Sequence, residues 1–425
     1  MSSFFVDRVR GMQDVLPPEG ELWRRIESAM FEIASCHGFS YVRTPILEFT
    51  ELFDRSAGES SDIVQKEMYT FDDKSGRSVT MRPEFTAGVL RAVASSLSGS
   101  SVFPLKLMYF GPCYRYEKPQ EGRLREFFQF GLESFGGTSS LADFEIIVVA
   151  NRILSKLGIS DTHLEINAVG CSKCKSTYLD EIKQFFLSKS DVLCENCIKR
   201  LSTNPLRIFD CKNNRCQEAF KDAPETLSFI CDDCKSSFED LKRYLSIAKI
   251  PYETNTRIVR GLDYYTRLVF EFVTKLNGSN LTVCGGGRYD NLSKSLGGKD
   301  LPATGLAIGV ERLIKIMKDM NIGSHTLKNR DLYIACVDES SKDVAVQLSV
   351  DLRDLNVTVD YDIMERSLKS QMRFADKMNY DYVLVLGSNE INSGILELKK
   401  LSDGSTKKFS LDNFVNEFFE FLSRK

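Results

Sequence analysis

Apolar residues at Leu22, Ile26, Met30 and Ile33 recur at threes and fours, and this spacing predicts an amphipathic helix over 20–37 that stops near Gly38. The stretch FSYVRTPILE after it reads as extended, and Pro45 makes it an edge strand or a strand leading to an interface. Strands are predicted at 67–72, 78–82, 105–116 and 126–135. The last two flank KPQEGRLR, which is polar, glycine-containing and rich in cations, so they form a long antiparallel hairpin. A helix over 141–157 and a strand LEINAVG (164–170) come next, then a segment with helical spacing at 179–188 and 236–247. Strand character returns at 254–275 and 281–290, and GLAIGVERLIKIMKDM (305–320) is glycine-led and then helical.

The pattern breaks at NIGSHTLKNRD (321–331), which is polar, has no period and suits a linker. Beyond it LYIACV, a helix near 340–355, VTVDYD, a helix near 366–379, YDYVLVLG, ILELKKL and a helix near 411–423 alternate. The first three of these strands are near-continuous apolar runs, as in a largely parallel sheet covered on both faces, so this part reads as a separate α/β domain.

With 425 residues the chain has room for two or three domains, and 42% hydrophobic with 27% charged residues is ordinary for a soluble globular protein. No run approaches the roughly 18 apolar residues of a membrane span. The N-terminal MSSFFVDRVRGMQDVLPPEG has no apolar export signal, so no membrane partner and a cytoplasmic setting are expected. A net charge of −3 excludes a generic polyanion binder, and any nucleic-acid contact must use local basic clusters.

Cysteine changes the picture. Eight of the 12 form the pairs Cys171/Cys174, Cys194/Cys197, Cys211/Cys216 and Cys231/Cys234, three of them CxxC. Without an export signal such pairs point to structural tetrahedral zinc rather than disulfides, with thiolates enough for two sites. Free thiols in a small helical domain are the alternative. An open hydrolytic zinc site is excluded, because all these ligands are thiols. Nucleophilic triads are excluded too, because His37, His163 and His325 sit in none of the polar motifs.

Several stretches concentrate polar groups. In TMRPEFTAG (80–88), Arg82, Glu84 and Thr86 share one face if the stretch is a strand, where a merely solvated face is the alternative. In YRYEKPQEGRLREFFQFGLE (114–133), Arg115 and Glu117 share a face of the incoming strand, and Phe127, Gln129, Gly131 and Glu133 one of the outgoing strand. Arg grips phosphate through a bidentate fork and a ring beside it stacks on a base. Opposed charges across a hairpin also stabilise a sheet without a ligand, but Gly131 in mid-strand marks a close approach to the backbone. CGGGRYDNL (284–292) is glycine-rich without a phosphate-loop pattern, and GLAIGVERL (305–313) sets Glu311 and Arg312 at a helix start. In RGLDYYTRLVFEF (260–272), Leu268, Phe270 and Phe272 alternate with Arg267 and Glu271 behind a cation, a glycine, a carboxylate and two phenols.

Taken in order, these stretches resemble class II aminoacyl-tRNA synthetases and, among them, the histidyl-tRNA synthetase family. TPILE (44–48) resembles motif 1, whose proline lies at a dimer interface; YRYE…REFFQFGLE resembles motif 2 and GLAIGVERL motif 3. RGLDYY (260–265) and GGGRYD (285–290) resemble the two signatures peculiar to the histidine enzymes. The resemblance covers nearly the whole chain. It implies an α+β catalytic domain built on an antiparallel sheet in two parts, 1–160 and 251–322, a Cys-rich helical insertion over 161–250 and a C-terminal α/β anticodon-binding domain over 330–425.

The implied reaction activates L-histidine with ATP and Mg2+ and passes the acyl group to the end of histidine tRNA, in a homodimer. Arg115 is expected at the α-phosphate, Arg312 at the γ-phosphate, Phe127 stacked on adenine, Glu117 at its exocyclic amine, and Arg260 at the α-phosphate from the histidine side. Glu84, Thr86 and Gln129 are expected at the amino end of histidine, and Glu133, Tyr264 and Tyr265 around its ring. Lys118, Gln120, Arg123 and Arg125 are expected to meet the acceptor end of the tRNA, although Lys118 stands where Arg is frequent and Phe128 where His is frequent. Asp263 has no implied ligand role, and a structural salt bridge is expected for it. The main alternative is the regulatory subunit of ATP phosphoribosyltransferase, which shares the catalytic fold but usually lacks the anticodon domain and an intact RGLDYY. A zinc-dependent nucleic-acid-binding module explains only the cysteines.

Overall fold

The computed structural model describes residues 6–58, 61, 63–96, 102–120, 122–258, 260–276, 279–322 and 330–423. The chain forms two compact units, Met1–Ser324 and His325–Lys425, whose boundary falls in the expected linker; residues 323–329 of that linker lie outside the described residues.

In the first unit, α1 (Glu19–Cys36) buries Leu22, Ile26, Met30 and Ile33, and Gly38 just beyond it has φ of +77°, which suits glycine. Next come β1 (Ser40–Tyr41), β2 (Leu47–Phe49), α2 (Thr50–Ala57), β3 (Tyr69–Asp72), β4 (Ser78–Met81) and α3 (Thr86–Ser96). The hairpin β5 (Leu105–Tyr114) and β6 (Glu126–Phe135) pairs Leu105 with Phe135 and Tyr114 with Glu126. The chain continues through α4 (Ser140–Lys156), β7 (Thr162–Gly170), α5 (Ser172–Leu187), α6 (Glu195–Thr203), α7 (Asn214–Phe220) and α8 (Asp232–Ile247). It closes with β8 (Tyr252–Thr254), β9 (Thr266–Leu276), β10 (Ser279–Arg288), α9 (Leu292–Ser295), β11 (Ala303–Gly309) and α10 (Val310–Asp319).

Eight of the strands make one sheet in the order β1-β5-β6-β11-β10-β9-β7-β8, antiparallel except for the two edge pairs, β1 with β5 and β7 with β8. β2, β4 and β3 form a separate small sheet with β4 in the middle. One face of the large sheet carries Phe130, Leu132, Phe270, Phe272 and Ile308, which pack with Ile26 and Met30 of α1, Ile146 and Ile153 of α4, and Leu313 and Met317 of α10. Strand alternation therefore leaves Gln129, Gly131, Glu133, Gly285 and Gly305 on the opposite face.

Local chemistry overrides the sequence pattern in four places. Arg82, Glu84 and Thr86 do not alternate along a strand: β4 ends at Met81, and the Glu84 carboxylate accepts from Thr86 N (2.7 Å) and Ala87 N (2.9 Å) to open α3. Residues 255–258 and 260–265 are irregular, and the strand begins only at Thr266. The 161–250 segment does not stand apart as a whole. Its β7 is a strand of the large sheet, and Phe238, Leu241 and Leu245 of α8 lie in the main core, so the separate helical piece is α5, α6 and α7 around their own cluster of Tyr178, Ile182, Phe186, Leu201 and Phe220. The approach expected at Gly131 is made by the protein itself: Tyr109 stands opposite it across the hairpin, and a Cβ at 131 would lie 2.1 Å from its hydroxyl.

The second unit contains β12 (Arg330–Cys336), α11 (Glu339–Asp354), β13 (Val359–Tyr361), α12 (Leu368–Lys377), β14 (Tyr380–Leu386), α13 (Ser388–Ser393), β15 (Ile395–Lys400), β16 (Thr406–Ser410) and α14 (Phe414–Ser423). Its sheet runs β13-β12-β14-β15-β16, parallel among the first three strands and antiparallel beyond. Leu332 and Ile334 pack on one face with α11 and α14, and Tyr333 and Ala335 on the other with Ala375 of α12, as the apolar runs require. The sequence pattern missed α13 and β16: TKKFS buries only Phe409, too little for a period to register.

Gly131→Ala is expected to destabilise the first unit by about 1–3 kcal/mol, because the methyl group and the Tyr109 ring claim the same space. Thermal unfolding of the variant checks this, and an unchanged midpoint would mean the ring moves aside freely.

Candidate active site

Two sets of side chains assemble on the sheet face opposite the helices. The first centres on Glu133, which is 1% exposed in mid-β6. One of its oxygens accepts from Thr86 Oγ1 (2.7 Å) and Tyr109 OH (3.1 Å), and the other from Tyr289 OH. The carboxylate leans across β11 at Gly305, where a Cβ would lie 1.9 Å from Oε2. Burial, ahead of all other causes, pushes the Glu133 carboxyl up to about 8, and the neighbouring hydroxyl donors only partly offset it. Burial likewise raises Glu84, against the two N–H groups of α3 that hold its charge. The Tyr264 ring lies 5.5 Å from Tyr289 and 4.8 Å from Tyr265, so both tyrosines of RGLDYY stand beside this set.

The second set is cationic and surrounds a cavity of about 570 Å3. Arg115, Glu117, Arg123, Phe127, Gln129, Arg260 and Arg312 line it. The Arg115 guanidinium lies 5.0 Å from the Phe127 ring centroid, and its Nε donates to Pro83 O (3.0 Å). Arg260 rests on Gly285, whose Cβ would stand 2.4 Å from Nη1; it pairs with Glu271, while its buried Nε has no partner among the described residues. Arg312 donates to Thr282 O (2.7 Å), and its pKa is lowered first by burial and then by Arg123, Arg115 and Arg260. These cations repel one another. Glu311, pushed up to about 7 mainly by burial, accepts from Phe128 N (2.8 Å) and thereby pins α10 to β6.

The remaining candidates lie on the hairpin loop. Lys118 and Gln120 are exposed; the tip closes through paired backbone bonds between Gln120 and Arg123 (3.0 and 2.9 Å). Arg123 pairs with Glu117 at 3.5 Å, and Arg125 covers the Tyr116 ring at 3.9 Å. Two arginines in the polar stretches are structural. Arg82 is caged by Pro112 O and Thr44 O, and Arg288, 1% exposed, by Asp143 and the carbonyls of Gly137 and Ser139.

The sequence pattern passed over Tyr109 and Tyr289 around Glu133, and the Arg200, Arg207 and Lys212 that the insertion contributes to the cavity lining. Lys212 follows Cys211 directly in sequence, which is the one signal it carries. The eight cysteines gather as Cys171, Cys174, Cys231 and Cys234, and as Cys194, Cys197, Cys211 and Cys216, the sulfurs of each set within 4.8 Å of one another.

An antiparallel sheet that carries an arginine-bearing hairpin and an Arg312-bearing strand–helix unit around one cavity defines the catalytic core of class II aminoacyl-tRNA synthetases. A family model described as Histidyl-tRNA synthetase matches residues 11–313, and one described as Anticodon binding domain matches 331–420. The histidine–tRNA ligase of Clostridium kluyveri is 44% identical over 402 residues, 95% of this chain and 96% of that protein. The crystal structure of the apo histidyl-tRNA synthetase of S. aureus superposes with a TM-score of 0.83 at 32% identity, covering 98% of this chain and all of that one. A Bacillus halodurans structure described as an ATP phosphoribosyltransferase regulatory subunit/histidyl-tRNA synthetase has a TM-score of 0.67 at 23% identity over 91% of this chain, a likeness of fold alone. The chain belongs to the histidyl-tRNA synthetase family. Its function is that of a histidine–tRNA ligase, which consumes ATP.

The Glu133 carboxyl, raised from 4.5 to about 8, keeps its proton in the folded state while the unfolded chain has released it, so it costs stability increasingly as pH rises across that window. Glu133→Gln removes this cost. Its melting temperature relative to the unaltered protein is expected to be higher at pH 8 than at pH 5. An equal difference at both pH values would contradict the shift.

Proposed function

We propose that the two sets of side chains divide histidine activation between them, with the loop 260–265 joining the halves. The observation that carries this reading is the reach of that loop: Arg260 lines the cationic cavity, while Tyr264 stands by Tyr289, which donates to Glu133. Histidine's α-ammonium goes to Glu84, Thr86 and Gln129, and its ring to Glu133, Tyr264 and Tyr265. A pocket with fixed partners for ring nitrogens leaves them unpaired when another side chain enters, which gives discrimination of roughly ten-thousand-fold without editing.

ATP enters as MgATP. Phe127 stacks on adenine with Arg115 beside the ring, Glu117 accepts from the exocyclic amine, and Arg312 takes the γ-phosphate. A histidine carboxylate oxygen attacks the α-phosphorus, the bond to the bridging oxygen breaks and pyrophosphate leaves. Arg115 and Arg260 meet the charge gathering on the α-phosphate oxygens, so positioning and electrostatics supply the acceleration and no protein nucleophile is needed. A terminal ribose hydroxyl of the tRNA then attacks the acyl carbon and AMP leaves. Lys118, Arg123 and Arg125 present local cations to the acceptor end, and Gln120 an amide that can read base edges, as a chain of net charge −3 requires.

The working unit is a homodimer, closed through motif 1. Phe49 and Phe71 flank Val79 across the small sheet and are 54% and 48% exposed, beside Leu47 at 47% and Ile46 at 39%, an apolar face that a second copy would cover. Among the described residues no helix is long and apolar enough to cross a membrane, in keeping with a cytoplasmic location. Each cysteine set fits one structural zinc ion. Bonds of about 2.3 Å in a tetrahedron set sulfurs about 3.8 Å apart. Cys171 Sγ and Cys174 Sγ are 3.5 Å apart, Cys194 Sγ and Cys211 Sγ 3.7 Å. Backbone N–H groups already point at the sulfurs of Cys234, Cys174 and Cys216.

Arg260→Ala is expected to slow adenylate formation by about 100- to 1,000-fold, the loss seen when one preorganised transition-state donor is removed, with histidine affinity little changed. Single-turnover kinetics beside equilibrium binding decide, and equal losses in both would assign Arg260 to ground-state binding. Phe49→Asp is expected to convert the dimer to monomers in sedimentation analysis. A dimer that survives the substitution removes this face from the interface.

A further inference from the structure

The side chains that bind histidine sit partly on an irregular loop, and something must hold that loop still. Residues 260–265 belong to no strand or helix, and the reaction proposed above gives Asp263 within them no ligand role. Lys175, Asn204 and Arg207 of the insertion bond to the loop. Lys175 Nζ donates to Asp263 O (2.8 Å) and Tyr265 O (3.3 Å), Asn204 Nδ2 donates to Asp263 Oδ1 (2.6 Å), and Arg207 Nη1 reaches Gly261 O (3.4 Å). Lys175 and Asn204 also line a cavity of about 330 Å3 together with Arg260, Asp263 and Tyr265. The loop thus borders open space on the side of the insertion, and these tethers are what cross it.

The position of Lys175 is itself set by the first cysteine centre. Cys171 is the N-cap of α5 and Cys231 the N-cap of α8, so the two helices start from one point. Cys171 N donates to Cys234 Sγ (3.3 Å) and Cys231 N to Cys174 Sγ (3.1 Å), a reciprocal exchange that locks the two CxxC turns together. Lys175 follows Cys174 directly, in the first turn of α5. The centre is seated on the sheet at Gly170, which has φ of +76° and whose Cβ would lie 2.5 Å from that of Cys174. Gly170 pairs with Arg267 of β9, the strand into which the loop runs.

We infer that Lys175 is a positioning residue for the ligase reaction: anchored by the Cys171/Cys174/Cys231/Cys234 centre, it holds the backbone of Asp263 and Tyr265 so that Arg260 and the two tyrosines keep their places. Asp263 then has its own function, as the grip for Asn204 and Lys175. The anchoring rests on the zinc reading given above, whereas the hydrogen bonds from Lys175 to the loop do not depend on it. A rigidly held loop matters because a displacement of about 1 Å in a reacting geometry costs on the order of 100-fold in rate.

The test compares Lys175→Met, Lys175→Arg and Asn204→Ala in the full-length protein, with metal content measured by elemental analysis and adenylation by single-turnover kinetics. Lys175→Met is expected to keep its metal and its melting temperature, to slow adenylation by about 10- to 100-fold and to change histidine affinity less. Lys175→Arg is expected to recover much of the rate, and Asn204→Ala to show the same split in milder form. Unchanged adenylation in metal-retaining Lys175→Met overturns the proposal. If Lys175→Met fails to fold, Asn204→Ala decides, and full activity there overturns it as well. Protein that carries no zinc after washing with a chelator, yet loses rate on Lys175→Met, sinks the zinc reading and leaves the positioning role intact.

Discussion

Three close approaches on one sheet face organise this molecule. Gly131, Gly305 and Gly285 lie on three adjacent strands, and above them pass the Tyr109 ring, the Glu133 carboxylate and the Arg260 guanidinium, each closer than any side chain at the glycine would permit. The glycines give up β-propensity on the central strands to sink polar groups into the sheet surface. That depression lets the Glu133 carboxyl be buried among hydroxyl donors, and lets a guanidinium lie flat beside the cavity. The apolar side chains of the opposite face carry the stability that the polar face gives away.

The polar face is left electrostatically unfinished. Glu133 is a buried carboxyl with hydroxyl donors and, among the described residues, no cation bonded to it, while Arg115, Arg123, Arg260 and Arg312 crowd one cavity against a few carboxylates already engaged in structural bonds. A polyanion answers the second imbalance and a ligand with ring N–H groups the first. Their joint arrival is the chemistry of activating histidine with ATP. Local concentration of charge also explains how a chain of net charge −3 handles two strongly anionic substrates.

Legibility followed the range of the interactions. The hairpin of β5 and β6 was readable because its alternation is local, and so were α1, with its apolar stripe and Gly38, and the apolar strands of the second unit. Glu84 was picked out as a site residue but not as the group that opens α3, because a side chain bonding back to its own backbone leaves no period. Tyr109 hides in the run LKLMYF, and only strand register brings its hydroxyl to Glu133. Arg200, Arg207 and Lys212 reach the cavity through folding of the insertion, which no spacing within it encodes. Cysteine spacing marked the eight thiols but not their partition, since the first CxxC joins the last across the whole insertion. Asp263, for which a structural salt bridge is expected, accepts from the Asn204 amide through Oδ1, a contact between distant segments that no local spacing encodes.

The central claim, that one sheet face joins a histidine-specific pocket to an ATP site, is tested most directly by pyrophosphate exchange into ATP on the purified protein. The account predicts exchange that requires histidine, is supported by no other amino acid and is lost in Glu133→Ala. Exchange without histidine, or its absence while histidine still binds, would contradict it.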